Sequence, residues 1–321
     1  MRVIRPHPAL LAALVAACAQ APVVTEAPPA PEPPPPPAPT CRPIQTLECG
    51  TPGDCKGIEV FGAACFRIVL PGESLIEMAR EYDLGFNELE AANPGLDAFV
   101  PTVGAGVVIP TEWIVPRAAS RGGIVVNLSE MRLYAFPAGN GTPVTYPVGI
   151  GTEGWLTPVG EFKVVQKQVN PTWYPPASIR REEPDLPASV PPGPDNPLGT
   201  HALRLSKGSI LIHGTDTPFG VGRKASHGCL RLYPEDIPHL YERVPVGTKV
   251  TIVREPVKVG VRAGRVYVEV HADADAKVDL AAEAKRLLAK RRLADLVDAD
   301  RLATALRERR GYPVDVTVDR S

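Results

Sequence analysis

One cysteine and two histidines in the second half of the chain have the residue types and spacing of a nucleophilic centre. Cys229 lies in the stretch "SHGCLR", far from the other cysteines, with His227 two residues before it. His213 closes the apolar run "SILIH" sixteen residues upstream. A cysteine nucleophile needs a base for its proton and N–H donors for the oxyanion. These residues predict cysteine catalysis, a zinc site of both histidines and the thiol, or a core cysteine with histidines nearby.

The local sequence favours catalysis. His213 ends a predicted strand, a rigid element suited to holding a base, and an extended backbone would place His227 and Cys229 on one face. Gly228 permits backbone angles that other residues avoid, so adjacent N–H groups could turn into the site. A zinc site is chemically possible, but the spacing matches no known zinc pattern and no fourth ligand is evident. We therefore expect no metal and no cofactor.

The segment around these residues is rich in predicted strands. "GIVVNLSEMRLYAF" predicts a hairpin that turns at Ser129 and Glu130, and further short strands are predicted in "PVTYPVGIG", "GEFKVVQ", "HALRLS", "SILIH" and "KVTIV". "YPEDIPHLYERV" predicts one helix. A proline-rich connection separates "VVQ" from "HALRL" and is long enough to cover an active site. Its Trp173 and Tyr174 could line a substrate groove, or they could hold the connection against the core.

A smaller predicted unit precedes this domain, at residues 66–111. It starts with the strand "FRIVL" and ends with the strand "GVVIP". Ser74 and Glu77 form a capping box that opens a first helix, and Asn87 and Glu90 repeat the start signal before a second. The pattern predicts a β-α-α-β unit.

The N-terminal segments indicate export. "MRVIRPHPALLAALVAAC" has two arginines followed by an apolar run that is too short to span a membrane. Residues 19–40 are rich in proline and predict an extended tether. Residues 41–65 contain Cys41, Cys49, Cys55 and Cys65. Four clustered cysteines in an oxidising compartment predict two disulfides with three possible connectivities, although four cysteines could also bind zinc.

The overall charge and the C-terminal segment suggest no further chemistry. The chain has 35 basic and 36 acidic residues, a net charge of −1, so nothing indicates a nucleic-acid partner. Residues 256–321 predict a strand, two helices and a last strand, with charges that look like solvated helix faces.

Three regions of the chain resemble known families. "HGTDTPFGVGRKASHGCLRL" resembles the motif of YkuD-type L,D-transpeptidases of the ErfK/YbiS kind, and "PVGIG", "TPVGEF" and "NPLGTHALRL" fit the same family over residues 121–254. "VLPGESLIEMAREY", "NELEAANP" and "GVVIP" resemble a LysM module, which binds peptidoglycan glycan or chitin. "LVAAC" resembles a bacterial lipobox, which implies cleavage before Cys18 and its lipidation; the alternative is a plain export signal at residues 1–18, with Cys18 lost.

The transpeptidase resemblance implies a role for each matched residue. Cys229 would be the nucleophile and His213 the base, oriented by the Gly214 carbonyl. The Gly228 and Cys229 N–H groups would stabilise the oxyanion. The remaining matched residues would shape the site, and they are Ser226, His227 and Arg231. Arg231 would contact a stem-peptide carboxylate or support the loop through backbone carbonyls.

Together the resemblances imply an α+β multidomain enzyme, with a β-rich catalytic domain after a small β-α-α-β LysM domain. It would be a periplasmic, outer-membrane-anchored cysteine acyltransferase that acts on peptidoglycan tetrapeptide stems. Its thioester would pass to another stem as a 3–3 cross-link or to an envelope protein. Transfer to water would make it a carboxypeptidase or hydrolase. The alternative from another class is a peptidoglycan-binding anchor without catalysis.

Overall fold

The computed structural model describes residues 59–118, 122–136 and 143–319. The predicted signal with Cys18, the tether, and Cys41, Cys49 and Cys55 lie outside the described residues. Cys65 lies within them and is disulfide-bonded. None of the helices in the described ranges has the length and apolar character needed to cross a membrane.

The first described part is a β-α-α-β unit with an added strand pair. Strand β2 pairs antiparallel with β3, and β1 with β4. The β1–β4 pair was not predicted, because strands of three residues are too short to show an alternating pattern. The elements are β1 (Val60–Gly62), β2 (Cys65–Ile68), α1 (Leu75–Glu81), α2 (Phe86–Ala92), β3 (Gly106–Ile109) and β4 (Glu112–Ile114).

The two helices of this unit begin differently. Ser74 caps α1 as predicted, because its Oγ accepts a hydrogen bond from the Glu77 N–H at 3.2 Å. Helix α2 begins after Gly85, whose N–H donates to the Glu88 side chain at 2.7 Å. The start signal predicted at Asn87 and Glu90 is therefore wrong by two residues. The Asn87 side chain faces outward from the unit instead, and donates to the Glu130 carbonyl at 2.9 Å.

The second part contains an eight-stranded mixed sheet in the order β13-β11-β10-β9-β14-β5-β6-β7, and β8 pairs with β12 beside it. The predicted hairpin is confirmed as β5 and β6. The elements are β5 (Gly123–Asn127), β6 (Arg132–Phe136), β7 (Val144–Pro147), β8 (Ile150–Gly151), β9 (Gly160–Val169), α3 (Ala177–Glu182), β10 (His201–Leu205), β11 (Leu211–His213), β12 (Lys224–Ser226), β13 (Leu230–Arg231), α4 (Asp236–Arg243) and β14 (Lys249–Val253).

One face of this sheet is packed into the core. Leu203, Ile212 and Leu230 lie on three neighbouring strands and are fully buried together with Ile237 and Leu240 of α4. Because side chains alternate along a strand, the residues between these three point to the opposite face. That face carries the residues of the predicted site.

The third part is a three-stranded sheet in the order β15-β16-β17 with two helices. The sequence predicted the last two strands and both helices, but β15 was missed. The elements are β15 (Val257–Arg262), β16 (Arg265–Val270), α5 (Leu280–Lys290), α6 (Ala299–Glu308) and β17 (Val314–Asp315). Its charges are not all on solvated helix faces, because the Lys258 ammonium is buried 2.6 Å from Glu130 and 2.7 Å from Glu269.

Buried polar contacts join the first part to the second. Glu88 of α2 forms a salt bridge at 2.8 Å with Arg132 of β6, and both side chains are almost fully buried. The Arg132 guanidinium also stacks over the Trp113 ring at 4.3 Å. An exposed salt bridge adds to these contacts, in which Arg80 pairs with Glu235 at 2.7 Å. These contacts hold the β-α-α-β unit against the larger sheet.

Candidate active site

Strands β11 and β13 bring His213 and Cys229 to one place. The two strands are parallel neighbours, with Ile212 opposite Leu230 and His213 opposite Arg231. Cys229 immediately precedes β13, and its Sγ accepts a hydrogen bond from the Leu211 N–H at 3.4 Å. Cys229, one residue before Leu230, therefore lies next to Leu211 and diagonally across from His213.

The same register extends the site to a third strand. Arg204 of β10 lies opposite Leu211, and Ala202 lies opposite His213. Arg204 and Cys229 therefore flank Leu211 on the face away from the core, and His213 and Arg231 form the next row. Residues that are distant in sequence meet here because three short strands lie side by side.

His213 is held as a neutral imidazole with one defined nitrogen donor. Its Nδ1 lies 2.5 Å from the Gly214 carbonyl oxygen. A carbonyl oxygen can only accept, so Nδ1 carries the proton and Nε2 keeps its lone pair. Burial, followed by the positive charge of Arg231, lowers the pKa of His213 to about 4, although hydrogen bonds to the Gly214 and Pro197 carbonyls act in the opposite direction. The imidazole is therefore neutral at neutral pH, with its single proton on Nδ1.

Cys229 is a free thiol in a mostly buried environment. Burial raises the pKa of this thiol, and the Leu211 N–H and the charges of Arg231 and Arg204 partly offset that effect. The thiol proton points toward the Ser209 carbonyl, with Sγ at 3.6 Å. At neutral pH the sulfur is protonated, so a reaction at this atom requires removal of a proton during attack.

The loop before Cys229 is braced by its own hydrogen bonds. Gly228 has a φ of +98°, a backbone conformation that residues with a Cβ rarely adopt. This agrees with the unusual backbone angles expected at this glycine from the sequence. The Ser226 hydroxyl donates to the Cys229 carbonyl at 2.6 Å and accepts from the Gly228 N–H at 3.2 Å. The Thr157 hydroxyl also donates to the Gly228 carbonyl at 3.1 Å. The structure thus places Ser226 inside the loop, where its hydroxyl is already engaged.

His227 points toward the proline-rich connection. Its Nε2 lies 2.9 Å from Glu182, the last residue of α3, and its ring contacts the Trp155 ring at a centroid distance of 5.3 Å. The hydrogen bond from His227 lowers the pKa of the Glu182 carboxyl. His227 therefore ties the connection to the Cys229 loop.

Arg231 lies beside both reactive groups. Its side chain is partly buried, and its Nε has no hydrogen-bond partner within the described residues. Burial lowers the pKa of Arg231, and the charge of Asp216 opposes that shift without forming a salt bridge. A guanidinium remains charged under these conditions because its ordinary pKa is above 12.

Trp173 and Tyr174 lie in the proline-rich connection and differ in exposure. The Trp173 backbone pairs with Val190 within the connection, its N–H donating at 2.9 Å, and its side chain is half-buried. Tyr174 is 70% exposed. Trp173 thus belongs to the internal structure of the connection, and Tyr174 is available to a ligand.

The ligand atoms that could hold a metal lie elsewhere. Within the described ranges, only Glu130, Glu269 and His271 bring three such atoms within 4.8 Å of one another, and His213, His227 and Cys229 do not. The Lys258 ammonium already contacts both carboxylates of that cluster. We interpret the cluster as a charge-balanced junction between the second and third parts.

Three residues of this site were not found from the sequence. Arg204, Glu182 and Trp155 come from a strand interior, a short helix and a loop, and none belongs to the stretch around Cys229. The alternation in "HALRL" placed Arg204 opposite the apolar face of its strand, and this was the one available signal. The pairing that brings it to Cys229 depends on strand order, which the sequence pattern did not show.

Comparison with known proteins places this geometry in a family. Residues 121–252 match the YkuD L,D-transpeptidase catalytic domain. The chain is 40% identical over 275 residues to the protein named "Probable L,D-transpeptidase YcfS" of Escherichia coli K12, covering 81% of this chain and 86% of that one. It is 46% identical over 200 residues to "Probable L,D-transpeptidase YbiS" of the same strain, covering 60% of this chain and 64% of that one.

The solved L,D-transpeptidase of Mycobacterium smegmatis shares 20% identity over 47% of this chain and 64% of its own, with a TM-score of 0.33. The relatives and the catalytic-domain match define the class of protein: the chain belongs to the YkuD family of L,D-transpeptidases, which are acyltransferases. Within that family it belongs with the ErfK/YbiS relatives.

Proposed function

We propose that the protein transfers acyl groups from peptidoglycan tetrapeptide stems through a thioester on Cys229. The observation that carries the proposal is the pairing of β11 with β13, which sets an Nδ1-protonated His213 diagonally beside a free thiol. Membership of the L,D-transpeptidase family supplies the class of reaction.

In the first half-reaction, Cys229 Sγ attacks the carbonyl carbon of the third stem residue while its proton passes to His213 Nε2. The tetrahedral intermediate then collapses. The C–N bond to the terminal D-alanine breaks, and the leaving amine takes the proton from His213. The products are free D-alanine and a thioester. Because the pKa of His213 is low and the Cys229 thiol is protonated, proton transfer during attack is favoured over a preformed thiolate–imidazolium pair.

In the second half-reaction an acceptor amine attacks the thioester carbonyl. Its proton passes to His213, the C–S bond breaks, and the proton returns to the thiolate. An amine of another stem would give a 3–3 cross-link, and a lysine of an envelope protein would give covalent attachment. Water as the acceptor would release a tripeptide stem.

We assign the Cys229 N–H as the oxyanion donor, because the Gly228 N–H donates to Ser226 in this structure. The Gly214 carbonyl would hold the imidazole, and Ser226 would brace the loop. The remaining proposed contacts to the stem peptide are Arg231 and Tyr174, while Trp173 pairs within the proline-rich connection and His227 ties that connection to the Cys229 loop.

Mass spectrometry with a disaccharide-tetrapeptide tests the chemistry. We expect the purified protein under reducing conditions to gain one disaccharide-tripeptide acyl group with release of D-alanine, and Cys229→Ala to gain none. Ser209→Ala, a nearby change that leaves the carbonyl contact in place, is the matched control and should still acylate. Absence of an adduct on the unaltered protein would refute the proposal and favour a non-catalytic anchor.

The acceptor is tested separately with purified sacculi. Muropeptides are analysed after incubation with the protein, with and without an added lysine-containing peptide. New 3–3 dimers would support cross-linking, a peptide-linked muropeptide would support protein attachment, and tripeptides alone would support the hydrolytic alternative.

We propose further that residues 66–111 bind glycan as a LysM module and that Cys18 carries a lipid in the outer membrane, facing the periplasm. The β-α-α-β topology supports the first assignment. The disulfide at Cys65 supports an oxidising compartment. Sedimentation of Cys229→Ala with sacculi tests glycan binding, and loss of membrane fractionation in Cys18→Ser tests the anchor.

A further inference from the structure

Two arginines on the active-site face lie near Cys229, and the charge of Asp216 acts on one of them, Arg231, without a salt bridge. Arg204 and Arg231 occupy the two strands on either side of β11. Within the described residues, neither guanidinium forms a salt bridge or a side-chain hydrogen bond, and the Arg231 Nε is buried without a partner. A buried donor without a partner costs free energy, and a bound carboxylate would supply the acceptor.

Both charges act on the reactive sulfur. Arg231 and Arg204 each lower the pKa of the Cys229 thiol against the larger effect of burial. By register, Arg204 shares a row with Cys229 across Leu211, and Arg231 is two residues beyond Cys229 on the same side of its strand. The two cations therefore lie in different directions from the sulfur, Arg204 across β11 and Arg231 along the strand that follows Cys229.

A donor stem carries a negative charge at the corresponding distance. In the proposed reaction, the scissile carbonyl is joined to the carboxylate of the leaving D-alanine through three bonds. Their summed length is about 4 Å. A carbonyl seated on Cys229 therefore places that carboxylate near the flanking cations. Arginine suits this role because its planar fork binds carboxylates in a bidentate manner.

We infer that Arg204 and Arg231 together bind a carboxylate of the donor stem peptide and so select donors that end in a free acid. This inference rests on the proposed function, and it adds Arg204 to the site. Two positions on a stem could supply the carboxylate: the terminal D-alanine, or the side chain of the third residue. The distance argument favours the terminal one.

The test compares acylation rate constants for three donors. The first is the tetrapeptide with a free terminus, the second has a terminal carboxamide, and the third has a third residue without a side-chain carboxylate. For the unaltered protein we expect the carboxamide to react on the order of 10- to 100-fold more slowly than the free acid, the loss of a charged hydrogen bond. We expect the third donor to react as fast as the first.

Variants then assign the selectivity to the two residues. In Arg204→Gln and Arg231→Gln the ratio of free-acid to carboxamide rates should fall toward one, and Arg204→Lys should retain part of it. The ratio is informative because any general damage slows both donors alike. Arg243→Gln, an exposed arginine on α4, is the matched control and should keep the full ratio.

The outcomes separate the two hypotheses. Equal rates for the free acid and the carboxamide on the unaltered protein would overturn the inference while the proposed function stands. A full ratio in both glutamine variants would also overturn it. A slow third donor would retain the two-arginine site and assign the third-residue carboxylate as its ligand. No acylation by any donor would refute the proposed function and this inference with it.

Discussion

At the scale of single residues, the site combines a histidine of low pKa with a thiol whose pKa is raised. His213 has a pKa of about 4, while burial raises the pKa of Cys229 above its ordinary value. A resting thiolate–imidazolium pair would require the reverse order of these pKa values. We therefore expect His213 to act as a general base on a thiol.

This order predicts the pH dependence of acylation. The base form of His213 is lost as pH falls through its pKa, so the rate constant should rise with pH around pH 4 and stay nearly level through neutrality. Measuring the rate constant for acylation by a disaccharide-tetrapeptide from acid to neutral pH tests this. An ascending limb near the ordinary histidine pKa of about 6.5 would contradict it.

The variant Arg231→Gln tests the electrostatic cause of this profile. Burial is the first cause of the low pKa of His213 and the charge of Arg231 is the second. Removing that charge should move the ascending limb to higher pH, while burial keeps it below the ordinary value. Arg243→Gln should leave the limb unchanged.

At the scale of elements, the proline-rich connection and the Cys229 loop meet at one exposed contact. The Glu182 side chain at the end of α3 accepts from His227, and the Trp155 ring packs against the same imidazole. This contact links a segment between β9 and β10 to a residue two positions from the thiol. It holds α3 over the site with little buried area.

Removal of this contact should loosen α3. We expect Glu182→Ala to raise the KM for the donor by up to about fivefold with little change in kcat, since a single exposed polar contact contributes little free energy. Amide hydrogen exchange in residues 177–183 should accelerate. Glu183→Ala, the neighbouring exposed acid, is the control, and equal effects of both changes would argue against the contact.

At the scale of the whole molecule, the β-α-α-β unit is part of the catalytic structure. The N–H groups of Phe86 and Asn87 face the carbonyls of Val221 and Gly222 at 3.4 and 3.3 Å, in the loop between His213 and Cys229. The Arg223 guanidinium stacks on the Phe86 ring at 3.8 Å. The unit therefore supports the loop that delivers Cys229.

The buried Glu88–Arg132 pair should dominate the stability of this junction. Glu88→Gln leaves the Arg132 guanidinium buried without its counter-charge, and breaking such a pair typically costs about 3–5 kcal/mol. Denaturant unfolding followed by tryptophan fluorescence measures this, with Trp113 at the junction as a reporter. Glu90→Gln, exposed on the same helix, should change the free energy of unfolding by less than about 0.5 kcal/mol.

The double variant Glu88→Leu with Arg132→Met separates charge from packing. It removes both buried charges and should recover much of the stability lost in Glu88→Gln. If the double variant is less stable than both Glu88→Leu alone and Arg132→Met alone, the pair stabilises the junction by more than charge compensation.

Much of the fold could be predicted because it depends on local chemistry. The capping box at Ser74, the turn at Ser129 and the alternation in the strands act between near neighbours in the chain, so they are legible in the sequence. The strands β1 and β15 were missed, since their pairing partners supply most of their stability. The start of α2 was predicted two residues too late, because the Asn87 side chain contacts the Glu130 carbonyl instead of capping the helix.

For the site, the sequence by itself was enough to propose Cys229 and His213 as the reactive pair. Cys229, Gly228 and His213 follow from residue type, spacing and a family motif, because a nucleophile loop and its base-bearing strand are each continuous in the chain. Only the tertiary structure decided the surroundings: the Gly214 carbonyl on Nδ1, Glu182 on His227, and Arg204 beside Leu211. Strand order and burial set these contacts, and both depend on the whole chain packing at once.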